Sequence, residues 1–311
     1  MSDHEYDVVI AGGGVAGLTA GLTSARAGRK TRVLIGRSLG GQLLSIERID
    51  GYPGFPDGVP GYDLGPIIQE QAVAAGAGFA ATEATGLHAD EGRWRVTTGE
   101  GEAWARAVVI ATGTTLKTLG IRGEERLRGK GVSHCASCDG PLLRGRVVGV
   151  VGGGDSALQE ALTLAQYVSR VILLHRGSAF SAQAAYVERV RENPKIDVRF
   201  GTIVEEVIGN GGLTGVRTRT VTGGKADDLE LAGLFVYVGL APATTWLDSV
   251  VALDTSGGIP VDGAMRSALP GLSAAGTVRS ESPGRAAAAA GDGATAAVGA
   301  DRYVRDGAWL A

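Results

Sequence analysis

The chain has 311 residues, 44% of them hydrophobic, with a formal charge of −3 and a mean hydropathy of +0.11. That length allows two domains, and so small a net charge argues against a nucleic acid or an anionic membrane as a partner held by bulk electrostatics. No apolar run approaches the ~20 residues of a membrane span. The first ten residues lack a basic stretch leading into an apolar core, so no signal peptide is expected. A cytoplasmic protein is, because a paired dithiol can there be kept reduced and cycle. The 51 glycines lie between apolar runs, an α/β habit rather than disorder.

In chain order, Asp7-Val8-Val9-Ile10-Ala11 reads as a buried parallel strand. It leads into Gly12-Gly13-Gly14-Val15-Ala16-Gly17, an alanine- and leucine-rich helix ending near Gly28, and a second strand from Thr31 to Ile35. This is G-x-G-x-x-G in its strand–turn–helix setting, where small residues admit a pyrophosphate to the helix N-terminus. Gly12, Gly14, Ala16 and Gly17 are therefore candidate dinucleotide contacts; the bland reading is a turn that only packs helix on sheet. The acid expected after the second strand for ribose hydroxyls is missing, and Gly36-Arg37-Ser38 stands there. Gly40-Gly41-Gln42-Leu43 follows, then the Gly/Pro-dense segment from Asp50 to Pro56, which reads equally as a cofactor contact or a surface excursion. Pro66 to Gly76 predicts a helix, Trp94 to Gly101 a small β excursion, and Ala107 to Ala111 a strand closed by Ala111-Thr112-Gly113.

Cys135 and Cys138 are the only cysteines, and they enclose Ala136 and Ser137. A zinc site needs four ligands, and only His4, His88, His134 and His175 stand elsewhere. A purely structural disulfide gains little by closing so short a loop. A redox pair is the expected reading of C-x-x-C among βαβ units, with Asp139 placed to move the proton that thiol chemistry requires.

The first pattern then repeats 140 positions on (152 − 12). Val147 to Val151 runs into Gly152-Gly153-Gly154-Asp155-Ser156-Ala157, a helix, and the strand Val171 to Leu174. Two copies of one βαβ unit imply two dinucleotide sites, the second using Gly152, Gly154, Asp155, Ser156 and Ala157. His175 and Arg176 end that strand, where a 2′-phosphate of NADPH would lie; otherwise they are a solvated strand end. Gly233 to Gly239 closes the unit. Gly258 to Asp262, Met265 to Ser267 and Pro270 to Thr277 form a strand–turn–strand series, and an alanine-rich helix starts near Arg285. Its N-terminal partial charge suits the electron-rich edge of a reduced flavin, while so many alanines also follow from helix propensity alone. Trp309 reads as a frayed terminal aromatic, the alternative being a cover for flavin or partner.

With these segments in this order, the sequence resembles the low-molecular-weight thioredoxin reductases along essentially its whole length. The resemblance rests on Gly12 to Gly17, Gly40 to Leu43, Tyr52 to Phe55, Ala111 to Gly113, Leu119 to Ile121 with Gly123-Glu124, and Cys135 to Gly140. It continues through Gly152 to Ala157, Gly239 with Pro242 and Thr244, and Ala274 to Gly276. It implies an α/β fold of two Rossmann-like three-layer dinucleotide-binding domains, the second inserted into the first: an FAD domain at 1–116 plus 246–311 and an NAD(P) domain at 117–245, swinging on linkers near 116–118 and 244–246. It implies a homodimer, with FAD and NADPH or NADH as cofactors and a thioredoxin-like or glutaredoxin-like disulfide as partner. Gly40, Gly41, Gln42, Leu43, Ala111, Thr112, Gly113, Gly276, Thr277, Arg285 and Ala286 would join the first glycine turn around FAD. Cys138 would face the flavin, Cys135 would attack the partner, and Asp139 would exchange the proton.

Four positions depart from the family pattern. The His-Arg-Arg signature with a further Arg is here His175-Arg176, with Gly177 and Ser181 in the other places. Thr277 stands for the aspartate of the ribityl chain, Gly51 for an asparagine, and Ala286 for the glutamine after Arg285. Charge-assisted bonds contribute roughly 1.5–3 kcal/mol each, so NADH becomes credible beside NADPH. Three functions are thereby in play: a disulfide reductase, a dithiol oxidase passing electrons from a small metabolite to oxygen, and a binder without turnover, which would have no need of Cys135, Cys138 and Asp139.

Overall fold

The computed structural model describes residues 4–36, 38–224, 226–247 and 250–309; Arg37 lies outside them. The chain divides into two compact units, Met1–Thr115 with Ala241–Ala311, and Leu116–Leu240.

Unit 1 opens with β1 (Glu5–Ala11), α1 (Val15–Arg26) and β2 (Thr31–Leu34). Val8, Val9, Ile10 and Ala11 are fully buried, as expected of a parallel strand covered on both faces. Then come α2 (Gly61–Ala74), β3 (Gly78–Ala80) and an antiparallel meander of β4 (Ala84–Asp90), β5 (Arg93–Thr98) and β6 (Gly101–Ile110). Helix α2 starts before the expected Pro66. The Gly61 amide donates to Ile46 O at 3.0 Å, and a Cβ on Gly61 would stand 2.0 Å from Leu43 O, so the start is set by a close backbone approach.

The ribbon strand β7 (Thr114–Leu116) carries the chain into unit 2. There follow β8 (Val132–Ser133), the single turn α3 (Ala136–Asp139), β9 (Val147–Val151), α4 (Asp155–Tyr167), β10 (Arg170–Leu174), α5 (Ala184–Glu192) and β11 (Ile196–Arg199). A second meander, β12 (Thr202–Gly209), β13 (Leu213–Thr220) and β14 (Asp227–Glu230), precedes β15 (Gly233–Val236). The chain returns on β16 (Leu240–Pro242), which pairs with β7. It rejoins unit 1 at Ala241 rather than at 246. Hydrogen bonds from Ala243 N to Gly113 O and from Thr112 Oγ1 to Ala243 O, both 2.9 Å, fix the segment there. Strand β17 (Leu272–Ala274) and helix α6 (Ala286–Asp306) complete the unit.

The repeat seen in the sequence is a repeat of topology. Unit 1 orders its parallel strands β3-β2-β1-β6, and unit 2 orders them β11-β10-β9-β15 with β8 at the edge beyond, so each places the first strand of its repeated pattern, β1 or β9, next to the closing one. The expected strand series beyond Gly258 is mostly irregular. Only β17 enters the sheet, parallel to β6, and Ile259 and Arg266 make isolated bridges to Arg279 and Ser273. Trp309 is not frayed. Its Nε1 donates to Ser267 O at 3.0 Å, its ring meets Tyr303 edge-on, and it is 5% exposed.

Candidate active site

In unit 1 the first glycine turn is built to leave room. Gly12 has φ +125°, and a Cβ there would stand 2.1 Å from Ala111 O; one on Gly17 would stand 1.9 Å from Gly12 O. Around Gly14 nothing lies within 4 Å of such an atom. No side chain caps Gly14 and no acid occupies the first turn of α1, so the helix N-terminus presents its amides to an anion. The Gly40-Gly41-Gln42-Leu43 segment folds over this turn. Gly40 N donates to Gly13 O at 2.8 Å, Gly41 (φ +58°) passes Gly14, and Leu43 is buried.

Gln42 Nε2 then donates to Thr114 O and Oγ1 at 2.7 and 2.8 Å, and Thr114 Oγ1 lies 3.3 Å from Thr277 Oγ1. The threonine standing where the family pattern has aspartate is thus tied to the Gly40 loop through Thr114. Gly113 (φ +70°) follows Ala111 and Thr112 beside Thr277, and Gly276 (φ +79°) packs against Ala16. Arg285 precedes the first turn of α6, and Ala286 packs among Val15, Leu18 and Leu43. A glycine turn closed to a Cβ at Gly12 and Gly17 and open in front of Gly14, next to an uncapped helix start, fits the pyrophosphate of a dinucleotide.

Asp292, an acid on α6, has no local signal in the sequence. Its Oδ2 accepts the Gly276 amide at 3.1 Å and Arg279 Nε at 2.7 Å, while Oδ1 takes Arg279 Nη2 at 3.2 Å. Both side chains are nearly buried, 14% and 9% exposed.

Unit 2 repeats the cradle. Gly152 (φ +150°) leaves no room for a Cβ between Tyr237 O and the Ala157 methyl, and no side chain caps Gly154. Around it the charges are arranged differently. Asp155 accepts Gln183 N and Nε2 at 2.7 and 2.9 Å, and Ser156 is exposed. His175 donates from Nε2 to Ala179 O at 3.0 Å, packs beside the paired rings of Phe180 and Phe200, and fills the space a Gly153 side chain would take. The imidazole serves the loop, leaving Arg176 as the exposed cation at the end of β10.

Cys135 and Cys138 are joined as a disulfide across α3, with Cα atoms 5.3 Å apart. Cys135 is half-buried and caps the turn, its Sγ accepting the Cys138 amide at 3.3 Å, while Cys138 is exposed. Ser133 Oγ takes the Cys135 amide at 3.1 Å, and Ser137 Oγ lies 3.5 Å from Cys135 Sγ. Asp139 is half-exposed and ends the turn, its amide donating to Cys135 O. Under the turn lies Glu160, also unforeseen, with Tyr237 beside it. Burial first, and then the Glu160 carboxylate, push the Tyr237 phenol well above its ordinary pKa. Glu124, of the Gly123-Glu124 motif, is a loop clamp: its carboxylate accepts the Leu119 and Gly120 amides at 2.9 and 2.8 Å.

Two nucleotide cradles and a C-x-x-C disulfide in one chain define a flavin- and nicotinamide-type disulfide oxidoreductase. Residues 6–293 match the pyridine nucleotide-disulphide oxidoreductase family, and the chain belongs to it. It is an oxidoreductase similar over its whole length to thioredoxin reductases. That of Treponema pallidum is 38% identical over 302 residues, 97% of this chain and 98% of that protein, and that of Bacillus subtilis 34% over 309 residues, covering 98% and 97%. Among solved structures, thioredoxin reductase of Lactococcus lactis matches with a TM-score of 0.93 at 34% identity, over 96% of this chain and 99% of that one. The T. acidophilum enzyme matches with 0.91 at 34%, over 95% and 97%.

Proposed function

We propose that the protein uses NAD(P)H to reduce the disulfide of a thioredoxin-like or glutaredoxin-like protein, with FAD held by unit 1, the nicotinamide nucleotide by unit 2, and Cys135–Cys138 as the redox centre. The observation that carries the reading is the C-x-x-C disulfide with one exposed and one capping cysteine in a chain that has two uncapped glycine cradles. Bound FAD supplies a two-electron carrier between a hydride donor and a disulfide. The chain's own residues do the rest. Gly12, Gly14, Ala16 and Gly17 admit the pyrophosphate, Gln42, Thr114 and Thr277 line the neighbouring polar strip, and Asp139 exchanges the thiol proton. Cys138 would be the thiol that exchanges electrons with the flavin, and Cys135 the one that attacks the incoming disulfide. The enzyme works in the cytoplasm as a homodimer, and the β7/β16 ribbon is the hinge on which nicotinamide and dithiol take turns. No described helix is long and apolar enough to cross a membrane.

The direct test is anaerobic stopped-flow mixing of the flavoprotein with NADPH and, separately, NADH, followed by thioredoxin. Fast bleaching of the flavin band by either nucleotide, and its return on adding the protein disulfide, is the expected result. Absence of bleaching with both would make the dithiol oxidase, or a different electron donor, the leading reading.

Nucleotide choice follows from the loop after β10. With His175 tied to Ala179 and only Arg176 charged and exposed, NADH should be used at least as well as NADPH. Replacing Gly177→Arg and Ser181→Arg together adds two cations, and the new Cβ at 177, 2.7 Å from His175 Nε2, obliges the imidazole to shift. The kcat/KM ratio should move toward NADPH by about tenfold or more. An unchanged ratio would place the 2′ site elsewhere.

A further inference from the structure

Beneath the redox turn, one carboxylate oxygen gathers two donors. Glu160 on α4 is 6% exposed, and its Oε2 lies 3.0 Å from Ala136 N and 3.1 Å from the Tyr237 hydroxyl. Ala136 is the residue after Cys135 and is itself fully buried. Its amide therefore sits inside the ring that the two sulfurs close. On the other side, Ser133 Oγ takes the Cys135 amide at 3.1 Å and Cys135 O takes the Asp139 amide at 3.2 Å. None of these bonds involves the S–S bond.

We propose that Glu160, supported by Tyr237, is a positioning residue for the Cys135/Cys138 couple. It holds the backbone between the two sulfurs in place once the bond is opened, so that the reduced thiols stay poised to close. The inference rests on the reading that the pair cycles. Closing a disulfide from a dithiol depends on the effective concentration of one thiol at the other, and that falls as the segment between them gains freedom. The turn has only four residues and little of its own to keep its shape. An anchor at Ala136 therefore acts on the equilibrium directly. Glu160 also shares an α4 face with Ala157, Ala161 and Leu164, all buried, and a carboxylate on an apolar stripe is retained at a desolvation cost that packing alone does not require.

The holo protein and its variants are equilibrated without oxygen in mixtures of reduced and oxidised dithiothreitol. When the protein closes, two S–H bonds on Cys135 and Cys138 give one S–S bond and the reagent's S–S bond gives two S–H bonds. Two electrons and two protons thus pass from protein to reagent. Free thiols are then alkylated and counted by mass. Glu160→Leu keeps the stripe apolar but leaves Ala136 without its acceptor. It should weaken disulfide closure by about tenfold, a rise in potential of about 30 mV. Glu160→Gln, whose carbonyl can still accept from Ala136, should stay within about twofold of wild type. Tyr237→Phe should shift the equilibrium about threefold in the same direction as Glu160→Leu. Val190→Ala, a cavity in the same core that leaves the hydrogen bonds of Ala136 and Tyr237 to Glu160 in place, should lower the melting temperature and leave the equilibrium alone.

An unchanged equilibrium in Glu160→Leu would overturn the proposal, and so would an equal shift in Val190→Ala, which would reveal general loosening. Should Glu160→Leu fail to fold, Tyr237→Phe decides, and no shift there is equally fatal. The proposed function fails separately: a wild-type disulfide that NAD(P)H never opens would sink it, while the dithiothreitol equilibrium could still be read.

Discussion

Cys138→Ser abolishes reduction of a protein disulfide, to below about one thousandth of the wild-type rate, while bound flavin is still bleached by the nicotinamide nucleotide. The substitution replaces an exposed sulfur at the third position of α3 with oxygen of similar size. The Cys138 amide that Cys135 Sγ accepts is untouched, as are Glu160, Tyr237 and the Ser133 contact. Neither glycine cradle includes this residue, so nucleotide and flavin sites keep their geometry. What disappears is the ability to form the S–S bond that takes two electrons. Stopped-flow bleaching and a separate turnover assay with a thioredoxin-like disulfide read the two halves independently. Loss of both would show the chemistry to be misplaced; retention of turnover would show that the disulfide is structural.

Asp292→Ala should give the largest loss of stability. The carboxylate is the partner of a nearly buried guanidinium and of the Gly276 amide, and removing one partner of a buried pair costs about 3–5 kcal/mol because the other charge is left uncompensated. For a unit of this size that is a drop in melting temperature of roughly 6–20 °C. The flavin should be released early in the same transition, because Gly276 and Thr277 are the segment that Asp292 holds. Thermal scans monitored by flavin fluorescence test both effects at once. Arg279→Leu in the Asp292→Ala background should recover part of the loss, since no charge is then stranded. A melting temperature that stays put in the single variant would mean that Arg279 finds other partners.

Elements whose signal is local were legible in the sequence. Both glycine turns, their flanking strands and the paired cysteines carry their pattern within about twenty residues. Pro66 misled because proline marks a helix start when nothing else does, whereas Gly61 earns that position through contacts with Leu43 and Ile46 that no local pattern shows. Glu160 left a visible trace, an acid on the stripe Ala157, Ala161, Leu164. Its meaning needed Tyr237, 77 positions away. Asp292 and Trp309 have the same difficulty, with partners 13 and 42 positions upstream. At His175 the residue type was read for its charge, while packing against the Phe180–Phe200 pair decides where its ring lies.

The insertion has a consequence for synthesis. Unit 2 is complete once Leu240 has left the ribosome, but β17, which pairs with β6, and α6, which packs its alanines against Ala16 and Ala20 of α1, are still to come. Domains fold as units while the chain emerges, so here the internal unit can finish first, and the earlier-made half waits with one sheet edge and one helix face uncovered. A ribosome stalled with Leu240 clear of its exit tunnel and α6 not yet emerged should carry a protease-resistant second unit on a protease-sensitive first one. Substitutions in α6 should then act as assembly defects of newly made chains before they act as catalytic ones.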